Sequence, residues 1–592
     1  MNPAYYRVRL LCDLFWTLLL PVLVLFLVLS QRQYRLGVLS LPAHVAFIFL
    51  WGTTRNLYRR SMQEREARLL GARLIPCVVG KWPGNIDVLL NMIRAFKSSY
   101  VLDVYLQLFE EYQCTTINTR ILWSDAIISM DQEHAKFVLA TGFQRFWRGP
   151  AQKERMETLL GEGIFNRDDD VWKTHRATAR PFFARERILD FEIFEQYCSR
   201  TLSIISSLSS GDQPCEVQDL YARFTLDAAS EFLFGKNLNT LSASLPVPGC
   251  TTMGPKGSAT KDAWGSFAQA FEMAQQNVTN RGRIGYLWPL FEFFSDKNER
   301  HVKVIHQWLD PLVQQALEAK RRADSAGVMS PIAEKTFLQH LADTTNDSVA
   351  IRDQLLSMLL ASRDTTAGVL TYLTYFMAIH PDVTAKLRAE VLDHCGSTKS
   401  GTFENFRNMK YMRAVINETL RLFPPVPLNV RETRSSPCVF PPSDPSYPQP
   451  DSRPLYMPAK TPIVYLPLLT QRNPALWGDD ADAFDPERWI QPERITKFTA
   501  NPAMFSPFSA GPRICLGQNY AYNQMSYFLV RLLQKFDRFT LAQEFQPEGS
   551  LPPIEWKDRS GRQRFEKVWP SAALTLYIKG GMWVRFHKAT SP

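Results

Sequence analysis

Cys515 stands in Phe508-Ser-Ala-Gly511-Pro-Arg513-Ile-Cys515-Leu-Gly517, just ahead of the apolar run Tyr520 to Phe536. A thiolate at the mouth of a helix is stabilised by the unpaired backbone N–H groups there and by the helix dipole. Gly511 and Gly517 allow a tight turn and close approach to a bulky flat ligand. Arg513 adds a permanent positive charge two residues before the sulfur. These residue types suit a sulfur ligand for an iron whose macrocycle carries acidic side groups, which is a haem held through a Cys thiolate. A buried structural Cys beside a loop Arg is the plainer alternative. Five specified residues within ten positions make it the poorer account.

Three further stretches carry chemistry. Ala361-Ser362-Arg363-Asp364-Thr365-Thr366 falls in the middle of a long apolar helical pattern, from about Ser348 to His380. Thr and Asp are poor helix formers there, and polar groups inside an apolar helix cost stability unless they have partners or a task. The alternative is a Thr365 back-bonded to its own helix, with Asp364 in a salt bridge. Trp172 and Arg176 are four apart and share a helical face, so an indole N–H and a guanidinium can both meet one buried carboxylate. Taken alone, such a pair is more often an amphipathic surface feature. His175 between them reads as a satisfied surface residue. Glu418 and Arg421 form an i, i+3 acid–base pair in Tyr411 to Phe423, and Arg488 follows in Phe484-Asp-Pro486-Glu487-Arg488-Trp489.

The loop Phe508 to Gly517 resembles, without a departure, the haem-binding signature of the cytochrome P450 monooxygenases. The chain order WxxxR, Asp-Thr, ExxR, PERW, Cys loop resembles that family too. The resemblance implies a mainly α fold, a P450-like helical prism with a small β-sheet region, preceded by N-terminal transmembrane segments. It implies haem b with Cys515 as axial ligand and Phe508, Gly511, Arg513 and Gly517 shaping the loop. Trp172 and Arg176 would hold one propionate and Arg431 the second. Asp364 and Thr365 would relay protons for O–O cleavage. Glu418, Arg421 and Arg488 would lock the thiolate side as a structural triad. One departure stands out: Ser362 occupies a position where the family usually has Gly, and its hydroxyl either narrows the pocket or adds a proton-relay oxygen.

The wording of Phe224 to Phe234 resembles the fungal alkane and fatty-acid hydroxylase branch. That implies hydroxylation of a long-chain alkane or fatty acid, with tailoring of a terpenoid or polyketide as the alternative. Electrons would come from NADPH through NADPH-cytochrome P450 reductase, because the chain has no flavin or nicotinamide segment. An O2-independent isomerase or dehydratase and a non-catalytic haem-binding membrane protein are the rivals, and the Asp364-Thr365 pair argues against both.

The elements that must position these residues come from 592 residues, 45% apolar and 21% charged, enough for a large core. Length alone suggests about four domains, whereas the resemblance implies one large helical domain plus an anchor. Nine scattered Cys without a CxxC pair argue against a disulfide framework or a zinc site and for a reducing compartment. A net charge of +10 suits an anionic membrane surface or an acidic redox partner, or is simply a solvated basic surface. No nucleic-acid motif or internal repeat is present.

Leu14 to Leu29 and Leu36 to Trp51 are apolar blocks of roughly 16 residues each, slightly short of the ~20 that span a bilayer. Residues 1–60 read as the anchor, 61–95 as a linker and 96–592 as the catalytic domain. The heaviest basic cluster follows the second block and should stay cytosolic, which places the catalytic domain on the cytosolic face of the endoplasmic reticulum membrane. A two-helix hairpin is preferred to a single span. A cleaved signal peptide lacks its small-x-small site. Strands are expected at Thr115 to Ile121, Ala126 to Met130 and Asn429 to Glu432, and Val426 to Val430 would line the pocket. Surface loops are expected at Leu241 to Ala263 and in the Pro-rich Pro437 to Pro462. The sequons at Asn277, Asn346 and Asn417 would stay unglycosylated in a cytosolic domain.

Overall fold

The computed structural model describes residues 5–183, 191–251, 253–254, 265–327, 331–447 and 453–589. Its contacts divide the chain into two units: Met1–Thr158, Val278–Lys297 and Leu428–Leu466 make the first, and Leu159–Asn277, Asn298–Pro427 and Pro467–Pro592 the second.

The first unit opens with two long apolar helical stretches, Tyr5–Gln31 and Gly37–Leu69, with almost none of their apolar surface buried. Pro21 has no N–H to give to the preceding turn, and a π turn at Phe15–Leu19 absorbs the defect, with Leu20 N–H reaching Phe15 O. Pro42 sits in the first turn of helix Ser40–Leu69, where a missing N–H costs little. That helix runs unbroken through residue 60. The expected strands form as Thr116–Asn118 and Ile127–Ser129, paired antiparallel. They belong to a five-stranded sheet completed by Pro462–Tyr465, Asn429–Thr433 and Phe146–Trp147.

The Pro-rich segment Pro437 to Pro462 is not an exposed loop. Cys438–Phe440 and Leu455–Met457 pair antiparallel within it, and the second also pairs in parallel with Arg73–Leu74. Cys438, Phe440, Leu455 and Met457 join Ile127, Phe146 and Ile463 in one core cluster. Two three-residue apolar patterns outweighed the proline content between them. Residues 448–452 of this segment lie outside the described residues.

The second unit is built on the helix Ser348–Ile379, capped by Asp347 through the Val349 and Ala350 N–H groups. Helix Val217–Phe234 packs along it and is buried nearly all round, as a core helix must be. Tyr221 Oη and Thr374 Oγ1 meet at 3.0 Å, and Thr225 Oγ1 donates to Arg363 O at 2.9 Å. Helices Lys410–Leu422 and Gln518–Lys535 complete the frame of the site. Of the expected loop Leu241 to Ala263, Leu241 is buried, while 252 and 255–263 lie outside the described residues.

Candidate active site

The thiolate loop closes on itself. Cys515 N–H donates to Phe508 O at 3.0 Å, and Ile514 N–H to Gly511 O at 3.0 Å. Gly511 takes φ +66°, a region that a side chain rarely adopts, and Ser509 takes φ +63°. Gly517 differs: its φ is −86°, so its role is space, and a Cβ there would meet nothing within 4 Å. Helix Gln518–Lys535 starts directly after it, which aims the helix N-terminus at the loop.

Cys515 is hemmed in by protein yet keeps an accessible face. Burial raises its pKa, while the Gly517 N–H and the Arg176 charge oppose the rise. Left to itself the sulfur holds its proton; a metal ion displaces it. A single thiol with an open Gly517 face fits a flat iron macrocycle, and no cluster of His, Cys, Asp or Glu able to hold a bare metal occurs among the described residues.

The WxxxR helix, Asp169–Phe182, is brought to this loop. Arg513 lies 4.4 Å over the buried Trp172 ring and Arg176 lies 6.0 Å from it. Burial pulls the pKa of Arg176 down and Cys515 pushes it up. Arg513 also donates to Arg167 O at 2.9 Å and Asp168 Oδ1 at 2.7 Å. Sequence reasoning missed Asp168, although the acidic run Asp168-Asp169-Asp170 at the helix start was its signal. Its side chain does not cap the helix but pairs with Arg513. His175 is half-buried rather than a surface residue, its Nε2 has no partner, and burial lowers its pKa.

A model of the cytochrome P450 family matches residues 82–555. The chain belongs to the cytochrome P450 family. This P450 is 32% identical over 555 residues to cytochrome P450 52E1 of Candida apicola, covering 93% of this chain and 98% of that one. It is 34% identical over 491 residues to cytochrome P450 52E2 of the same organism, covering 82% and 89%. It is also 34% identical over 575 residues to cytochrome P450 monooxygenase himC of Aspergillus japonicus, covering 95% and 92%. The protein is therefore a P450 monooxygenase of the P450 fold, with Cys-ligated haem b as cofactor, a reductase as redox partner and a lipophilic substrate.

The other P450 motifs fall into two sets. On the long helix, residues 355–359 and 369–377 are buried, but Ala361, Ser362, Asp364, Thr365 and Gly368 keep accessible surface. These residues make a partly accessible window in the middle of an otherwise buried helix. Thr365 Oγ1 donates to Ala361 O at 2.7 Å and Ser362 Oγ to Met358 O at 2.9 Å. Asp364 Oδ1 is 3.4 Å from Arg363, whose main partner is Glu272 at 2.6 Å. Burial works against the Arg363 charge, but Asp364 and Glu272 outweigh it and raise its pKa. Neither Arg363 nor Glu272 was singled out from sequence.

Glu418, by contrast, is saturated. Arg421 reaches both of its oxygens at 2.8 Å. Asp485 N–H, Arg488 Nε and Trp489 Nε1 add bonds at 3.1, 3.4 and 2.9 Å. Arg421 spends its remaining donors on the carbonyls of Gln471, Ala481 and Ala483. Burial pushes Glu418 up, but the two arginines and these bonds hold it below the usual carboxylate range. Arg431 is buried in strand Asn429–Thr433 of the first unit, with its own Nη1 on Val430 O at 2.9 Å.

Proposed function

We propose that this P450 hydroxylates a long-chain alkane or fatty acid, RH + O2 + NADPH + H+ giving ROH + H2O + NADP+, with electrons delivered by NADPH-cytochrome P450 reductase. The observation that carries the reading is the self-closed Cys515 loop with Arg176, Arg513 and Trp172 gathered around it. Cys515 would hold the haem iron through its thiolate, and Phe508, Gly511 and Gly517 would shape the cradle. When bound, the haem supplies activation of dioxygen through the electron-rich Cys–iron bond.

The chain's own groups do the rest. Trp172, Arg176 and Arg513 offer N–H donors and positive charge to a propionate, and Arg431 is assigned the second one. The Asp364 carboxylate stands beside Arg363, one residue before Thr365, where it can pass a proton on. Thr365 Oγ1 gives its hydrogen to Ala361 O, which leaves its lone pairs free to accept one from solvent. The Glu418–Arg421–Arg488 cluster is structural. Residues 14–29 and 36–51 anchor the protein in the endoplasmic reticulum membrane, with the catalytic part, residues 96–592, facing the cytosol. Tyr286, Leu290, Phe291 and Phe294 expose apolar surface, which suits a substrate that partitions into lipid.

Two measurements test this. Cys515→Ala should abolish the thiolate-type band of the reduced CO complex; a retained band would move the ligand to another Cys. Turnover with the reductase should yield hydroxylated alkanes or fatty acids. Product only from terpenoids or polyketides would overturn the substrate class while leaving the chemistry.

A further inference from the structure

The first helical stretch does not simply leave the protein. Its opening turns are built into the first unit. Tyr6 and Leu10 are buried, Tyr6 Oη donates to Glu292 O at 3.0 Å, and its ring lies 4.7 Å from that of Trp288. Arg9 Nε sits 3.1 Å from both oxygens of Glu154, and Nη2 donates to Oε2 at 2.8 Å, with the Glu154 side chain only 4% exposed. Arg9 Nη1 also holds Asp13 at 3.0 Å. A bidentate ion pair on a buried carboxylate and a buried Tyr are expensive to pull apart.

Beyond Asp13 the character changes. Phe15, Trp16, Leu19 and Phe26 are exposed, and across the turn so are Val38 and Leu41. The second stretch packs back along the first and rejoins the same unit. Phe49 lies 6.1 Å from the Trp123 ring, and a Cβ on Gly52 would touch that ring at 3.2 Å. Farther on, Gln63 donates to Asp125 at 2.7 Å and accepts from Arg120 at 2.9 Å. From Leu14 to Gln31, and from Gly37 to Thr54, each arm has about 18 residues and is roughly 27 Å long, close to the ~30 Å of a hydrocarbon core. The five arginines from Arg55 to Arg68 join Arg7 and Arg9 at the docked ends, against Arg32 and Arg35 at the turn. The positive side is the docked side.

We infer that the anchor is a two-span hairpin whose amino-terminal turn, pinned through Tyr6 and Arg9, stays on the catalytic side of the bilayer, with only Arg32 to Leu36 exposed on the far side. A single-span anchor would carry Arg9 across the membrane and strand Glu154. The inference rests on the membrane reading given above and goes further by fixing where the amino terminus lies.

The full chain, made in the presence of endoplasmic reticulum microsomes, tests it with Asn-x-Thr acceptors placed in a tail fused before Met1, in a loop inserted between Arg32 and Leu36, and in a tail after Pro592. Glycosylation of the loop alone is expected. Glycosylation of the leading tail instead overturns the hairpin but leaves the membrane reading. No glycosylation of a chain that pellets with the membranes also overturns it, and a chain that stays in the supernatant overturns both. Arg9→Glu and Glu154→Arg should each lower the thermal midpoint of the haem-loaded protein by several degrees, and the double exchange should restore most of the loss. Unchanged single variants would mean that the clamp is not made.

Discussion

Two acids sit on long helices of the second unit, each with an arginine close by in the sequence, and the structure treats them in opposite ways. Glu418 is completely buried and accepts bonds from two arginines, an indole and a backbone N–H. Asp364 keeps 13% of its side chain accessible, and the nearby Arg363 is drawn mainly toward Glu272. A saturated buried carboxylate can only hold structure, because any change in its proton or partner leaves charge uncompensated. A partly open carboxylate next to a hydroxyl can exchange protons with solvent. Residue type does not separate the two cases; burial does.

The largest effect should come from the saturated side. Glu418→Gln leaves Arg421 buried without its counter-charge and Arg488 with Asp480 alone, at a cost of about 3–5 kcal/mol, a large share of an ordinary domain's stability. Haem-loaded yield should collapse. The pH dependence sharpens the point. The pKa of Glu418 is lower folded than unfolded, so its stabilisation is complete above the ordinary carboxylate value of about 4.3 and is lost as pH falls through the folded value. The acid limb of the thermal midpoint should flatten in the variant; an unchanged limb would break the comparison.

Asp168→Asn comes next. It removes the charge facing Arg513 but keeps the shape, and should cost about 1–3 kcal/mol. Because Arg513 also lies over Trp172, the loss should appear as faster haem release as well as a lower midpoint. A lower midpoint with unchanged haem release would make Asp168 a structural partner only.

What the sequence disclosed follows from how local each feature is. The Cys515 loop, the helix around Asp364 and the Glu418-x-x-Arg421 pair are each contained in a single stretch, and their elements appear where the pattern places them. Asp168 and Arg513 are 345 positions apart, so nothing in either stretch announces the other. Trp489 was legible as part of PERW but not as a donor to Glu418, since that bond depends on a turn closing across 71 positions. The Pro437 to Pro462 segment misled because composition was weighed over the short apolar alternations Cys438-Val-Phe440 and Leu455-Tyr-Met457. The strands are only three residues long, and each is stabilised by its neighbours rather than by its own pattern.

On the open side, Thr365→Ala should leave stability within about 1 kcal/mol, because the lost bond runs to its own helix and Ala is the better helix former. Product formed per NADPH should fall about tenfold, with the missing electrons recovered as hydrogen peroxide, less than the ~10²–10⁴ that a positioned proton carrier contributes because solvent can still deliver protons. Coupling equal to the parent enzyme would remove Thr365 from the proton path.

Ser362→Gly should do least, and it decides what the extra hydroxyl is for. Its hydrogen is already given to Met358 O at 2.9 Å, and the residue shares the accessible window with Thr365. If the hydroxyl only fills space, replacing it costs under about 1 kcal/mol of helix stability, frees room beside the helix and leaves product per NADPH as it was, while bulkier substrates gain. If instead its lone pairs carry protons alongside Thr365, coupling should drop in Ser362→Gly as well, and the double variant should be no worse than Thr365→Ala alone. We expect the first outcome. Both hydroxyls make the same i, i−4 bond, so the donor does not separate them, but Thr365, one residue past the acid, is the nearer neighbour of Asp364 in the chain.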